Sequence, residues 1–90
     1  MMKIFVFAAA LLVVASGAAS AEPRCTSEPK DKWINESDMK AKIASLGYQT
    51  KVFKVTKGNC YEIYGFDKAG KRIEIYFNPI TGSIVEQHKT

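Results

Sequence analysis

The chain has 90 residues, 47% of them hydrophobic and 24% charged, with a formal net charge of +4. That length allows one small domain and leaves no room for a second, and it disfavours an enzyme built around a deep enclosed cleft. Mild basicity by itself names no partner.

In chain order, Lys3 precedes an unbroken apolar run from Ile4 to Ala15, and the small residues from Ser16 to Ala21 follow. This succession of charge, apolar core and A-x-A-like end predicts a secretory signal peptide over residues 1–21, cut after Ala21. The run is too short for the about 20 residues of a spanning helix, so no stable membrane insertion is expected after cleavage. A lipoprotein is not expected either, because Cys25 follows Glu22-Pro23-Arg24 in place of a small apolar triplet. Residues 22–90 then carry a charge of about +3, and the expected location is periplasmic or secreted. Export makes the cysteine count informative. Cys25 and Cys60 are the two cysteines, and in an oxidising compartment they read most simply as one disulfide. It would close a loop of about 35 residues and contribute roughly 3–4 kcal/mol. A redox-active pair is the alternative, although such pairs usually stand as C-x-x-C.

Residues 22–32 are polar, with Pro23, Pro29 and mixed charges, and predict an extended arm held by Cys25. A helix is expected from Glu36 to Leu46. Asn35 serves as its N-cap, Asp38 as the short capping-box partner, and Ile34 with Met39 as a hydrophobic staple. Met39, Ile43 and Leu46 form its apolar stripe, Gly47 stops it, and Tyr48 can close back on Ile43 in a Schellman cap. Asn35-Glu36-Ser37 also spells a glycosylation acceptor, for which the cap is the simpler explanation. After Gly47 the apolar period changes from 3.6 to 2. Strands are predicted over Thr50–Thr56, Cys60–Phe66 and Arg72–Phe77, with a short fourth over Ser83–Glu86. Lys57-Gly58-Asn59, Asp67-Lys68-Ala69-Gly70-Lys71 and Asn78-Pro79-Ile80-Thr81-Gly82 are the turns, with Gly70 at the left-handed position of a bulged hairpin. The fold class is therefore α+β: one N-terminal helix packed on a three- to four-stranded antiparallel sheet whose other face is polar and carries tyrosines.

The order of these features resembles the PepSY family of peptidase propeptide and related bacterial domains, in particular its small exported single-domain members. The residues that carry the likeness are Cys25, Lys32-Trp33-Ile34, Met39-Lys40, Gly47-Tyr48, Gly58-Asn59-Cys60-Tyr61-Glu62, Asp67-Lys68-Ala69-Gly70-Lys71-Arg72 and Tyr76-Phe77-Asn78-Pro79-Ile80-Thr81-Gly82. The resemblance places a PepSY-like domain over residues 33–90 and implies a helix on a curved antiparallel sheet. It also implies binding or restraint of other proteins, notably peptidases, and no shared catalytic set. Within these residues no peptidase domain follows the module, so an inhibitory role is expected to act in trans.

Candidate chemistry is sparse, and no catalytic residue is assigned. His88 is the single histidine and falls in the tail Gln87-His88-Lys89-Thr90, which is expected to be mobile. One histidine and two distant cysteines make no recognisable metal site, and no serine stands in a nucleophile context. Glu62 and Glu74 can face each other as a carboxylate pair, but the plainer reading makes Glu74 and Arg72 solvated outer-face residues. No cofactor is expected. Lysines 51, 54, 57, 68 and 71 with Arg72 surround the first three strands, interleaved with Tyr64, Phe66 and Tyr76. Export argues against nucleic acid, and charged edges that oppose sheet aggregation account for most of the lysines. Tyr64, Tyr76, Trp33, Lys54 and Arg72 remain as candidate partner-binding residues. For Trp33 the competing role is to seal the helix start against the sheet. The sequence thus predicts an exported protein-binding module, its partner another envelope or secreted protein, with modulation or inhibition of a peptidase as the specific form. The alternative is a small-ligand or redox accessory protein of the periplasm.

Overall fold

The computed structural model describes residues 22–90; the signal-peptide reading of residues 1–21 lies outside the described residues. A 3-10 turn, Lys30–Lys32, interrupts the expected extended arm. It is followed by helix α1, Glu36–Ser45, and strands β1, Gln49–Val55; β2, Tyr61–Phe66; β3, Arg72–Phe77; and β4, Ile84–Lys89. The strands form one antiparallel sheet in the order β1-β2-β3-β4. None of the described helices is long and apolar enough to cross a membrane.

The helix begins as its sequence dictates. The Asn35 side chain accepts from the Asp38 N–H at 2.9 Å and donates to the Asp38 carboxylate at 3.1 Å, so the donors left free at the first turn are met locally. It ends in a full Schellman arrangement: Gly47 N–H donates to Ala44 O and Tyr48 N–H to Ile43 O. Gly47 takes a φ of 97° there, a backbone region that side chains with a Cβ disfavour.

Met39 and Ile43 are the fully buried helical residues, and they meet Tyr61, Ile63, Ile73, Ile75 and Phe77 from β2 and β3. Leu46 departs from expectation, being 44% exposed. The last residue of the stripe is the C-cap, where the chain turns away toward β1 and no longer faces the sheet. Trp33 packs edge-on to Tyr61 with ring centres 5.4 Å apart, and its indole N–H donates to Glu28 O. The Tyr61 hydroxyl donates to Ile34 O at 2.6 Å. Trp33 therefore seals the helix start from the core side.

The fourth strand also differs from its prediction. It starts one residue later and ends three residues later than Ser83–Glu86, and takes in the tail expected to be mobile: Gln87 stands opposite Ile75, His88 opposite Glu74 and Lys89 opposite Ile73. The β3 edge offers backbone donors and acceptors along this length, and a bulge at Val85 brings the pairing into phase. The β2–β3 turn matches the predicted bulged hairpin, with Gly70 at φ 82° and the Asp67 carboxylate accepting from Ala69 and Lys71 N–H groups.

Cys25 and Cys60 form the disulfide, with their Cα atoms 5.1 Å apart. The arm is fastened on both sides of it: Cys25 N–H donates to Gly58 O, and the Asn78 side chain donates to Cys25 O. Asn78 also accepts from Ile80 N–H, and Pro79 O accepts from Ile34 N–H. The β3–β4 turn thereby joins the arm, the helix start and the sheet at one end of the domain.

Candidate functional site

The helix covers one face of the sheet; the other is bordered at the disulfide end by Glu22 and Arg24 of the arm, beside Lys54. Strand alternation sends Val52 and Lys54 of β1, Glu62, Tyr64 and Phe66 of β2, Arg72, Glu74 and Tyr76 of β3, and Glu86 and His88 of β4 to that second face. The register makes direct neighbours of Lys54 and Glu62, Glu62 and Tyr76, Tyr64 and Glu74, Glu74 and His88, Tyr76 and Glu86, and Phe66 and Arg72.

Glu62 is the unusual member. It lies in a central strand with 0% exposure, and neither carboxyl oxygen has a hydrogen-bond partner. The nearest cation, the Lys54 ammonium, stands 3.7 Å from Oε1 and is itself half exposed. Burial, reinforced by the neighbouring Glu74 carboxyl, pushes Glu62 up to about 7 against the opposing pull of the Tyr64 hydroxyl and Lys54. Glu74 moves the other way: its neighbour Glu62 and the Tyr76 hydroxyl, which donates to it at 2.9 Å, hold it below the ordinary carboxylate range. The two carboxyls thus divide the work, Glu62 keeping a proton and Glu74 a charge. Burial and these acids raise both tyrosines, Tyr64 to about 12. Glu86 and His88 pair at the β4 end.

This arrangement polarises the face. Glu62 has no surface through which a substrate could meet its proton. Among the described residues no group of three or more His, Cys, Asp and Glu side chains is placed to hold a metal ion.

Of the residues singled out from sequence, Tyr64, Lys54, Arg72 and Tyr76 share the helix-free face, whereas Trp33 belongs to the core layer. The two tyrosines are unequal. Tyr64 is 41% exposed with the Lys54 ammonium 5.4 Å from its ring centre; Tyr76 is only 5% exposed, held between Glu62 of β2 and Glu86 of β4. Beyond Tyr64, toward the β2–β3 turn, lies a shallow depression of about 260 Å³ between Tyr64, Gly65, Phe66 and Ile73, with Lys51 and Arg72 at its rim. Sequence reasoning missed Phe66 as a wall, Lys51 as a rim residue and Glu62 as a buried acid. The burial of Glu62 had one signal, an acid in the middle of the aromatic run Tyr61 to Phe66.

Comparison with known proteins gives one finding. The profile of a family described as peptidase propeptide and YPEB domain matches residues 5–88. No curated protein and no solved structure matches the chain significantly.

Proposed function

The chain belongs to the peptidase propeptide and YPEB domain family, and from that premise we propose that it is an exported protein-binding module that modulates or inhibits an envelope or secreted peptidase in trans. The observation that carries this reading is the helix-free face: Tyr64, Lys54 and Arg72 stand on it exposed while the helix and core occupy the opposite face. Tyrosine and arginine supply large, orientable contacts when a partner covers them, and a sheet face of this kind presents them on a rigid support. The signal-peptide-like succession of residues 1–21 in the sequence and the Cys25–Cys60 bond support export to an oxidising compartment.

A photo-reactive residue in place of Tyr64, compared with one in place of the exposed helical Ser37, tests the reading in the native envelope. Cross-links are expected from position 64 alone, to a peptidase whose turnover then falls saturably as purified chain is added. Turnover that stays constant at saturating chain, or cross-links of equal yield from position 37, would refute it.

A further inference from the structure

We propose that the depression between Tyr64 and Phe66 is a subsite that receives one apolar side chain flanked by carboxylates, on an acidic segment of a protein partner. This rests on the protein-binding reading above and names the chemistry of the segment that binds.

Size selects the occupant. At about 260 Å³ the depression falls below the roughly 300–1,000 Å³ of sites that enclose a small-molecule ligand, yet it accommodates a single leucine- or phenylalanine-sized group. Its walls are almost wholly apolar, formed by the Tyr64 and Phe66 rings, with Gly65, Ile73 and Thr90 completing the lining; the Ile73 side chain itself belongs to the core.

Charge selects the flanks. Lys51 and Arg72 are exposed at the rim, and neither pairs with a carboxylate among the described residues. The Lys51 ammonium stands 6.0 Å from the Phe66 ring centre, and Arg72 faces Phe66 directly across the β2–β3 ladder. An apolar group entering alone would strip water from both cations and return nothing. A carboxylate beside it meets them, with the arginine fork free for a two-pronged contact. A nucleic acid would also meet cations and stacking rings here, but Glu74 and Glu86 share the face and would repel a phosphate chain running along it.

Amide NMR titration of the purified chain, disulfide intact, tests the subsite with terminally blocked peptides that carry one phenylalanine between two aspartates. The expected result is saturable shifts centred on Tyr64, Gly65, Phe66 and Arg72, weakened about tenfold by Arg72→Glu. Tyr64→Ala should weaken binding likewise, and unchanged spectra elsewhere verify that both exposed substitutions leave the fold intact. The proposal is overturned by equal binding when lysines replace the aspartates or alanine replaces the phenylalanine, by shifts centred elsewhere, or by an absence of shifts. It is equally overturned if decanoate or oligothymidylate takes the site and the peptide does not. Failure here with position-64 cross-links retained removes the subsite and leaves the partner reading standing. Peptide binding without those cross-links removes the partner reading alone.

Discussion

Replacing Glu62 with glutamine is expected to stabilise the protein above neutral pH and to leave it nearly unchanged in mild acid. The carboxyl has no exposed surface and no hydrogen-bond partner, so the neutral form is the better buried one, and its proton is held up to about 7 against an ordinary 4.5. Through that window the native chain binds more protons than the unfolded chain, and stability must fall as pH rises. The contribution of Glu62 is whole below the ordinary value and lost once pH passes about 7. Each tenfold in proton affinity is worth about 1.4 kcal/mol, which sets a ceiling of roughly 3 kcal/mol. The ceiling is not reached, because Glu74 titrates in the opposite sense and the half-exposed Lys54 beside Glu62 can follow the charge as it forms. About 1–2 kcal/mol remains after that discount. In so small a domain each kcal/mol moves the thermal midpoint by roughly 4–8 °C. Urea denaturation of both proteins from about pH 5 to pH 8 reads the effect directly, as a sloping wild-type profile and a flatter one for Glu62→Gln. A variant less stable than wild type at the alkaline end would show that the ionised carboxylate beside Lys54 is the stabilising form, and the reasoning would fail.

Asn78→Ala should cost about 2–3 kcal/mol in urea denaturation, since one side chain caps the β3–β4 turn and also holds the arm at Cys25. Asn78→Asp, which keeps the acceptor oxygen and loses the donor to Cys25, should fall between the two; equal losses for both variants would count against the double role. Serine at both Cys25 and Cys60 should remove roughly 3–4 kcal/mol. The intact bond should reduce only below about −300 mV in a thiol-buffer titration, and a potential within the glutathione range would favour the redox accessory reading. Gly65→Ala places a Cβ 1.8 Å from Gln49 O; because the atoms it meets are β1 backbone, the strain should cost roughly 1–3 kcal/mol and speed amide exchange at the start of β1. Unchanged exchange at Gln49 and Thr50 would show that β1 moves aside without loss.

Local signals carried most of the fold. Asn35, Asp38 and Gly47 bracket the helix through contacts within a few residues, and Gly70 fixes its hairpin in the same way, so each could be read without knowing what lies across the sheet. The misreadings are all long-range. Leu46 fits the helical period but sits where the chain has already turned. The tail around His88 has no strong strand propensity of its own and is ordered by the β3 edge beside it. On the helix-free face, alternation placed Glu62, Tyr64 and Tyr76 on the correct side and was silent on depth. Whether an outer-face residue is covered depends on its neighbours in space: all three stand on the central strands, but Glu62 and Tyr76 are opposite each other with Lys54 and Glu86 beyond them, while Tyr64 is opposite the short, exposed Val52. The depression at Phe66 was illegible for the same reason, because its rim is assembled from three strands.

The fastenings of this domain are distributed unevenly along the strand axis. The disulfide, the Asn78 hydrogen bonds and the Ile34–Pro79 contact all gather at the end where β1 turns into β2 and β3 into β4. At the far end the side-chain ties are the Lys89–Asp67 ion pair and the Lys51–Phe66 contact, each worth at most about 1 kcal/mol. Opening fluctuations therefore start at the Asp67–Lys71 hairpin and die out toward Cys60, as a clip held at its hinge parts at its tips. The surface between Tyr64 and Phe66 lies near those tips, where it can adjust to an incoming chain at small cost while the clamped end keeps the rest of the sheet in register.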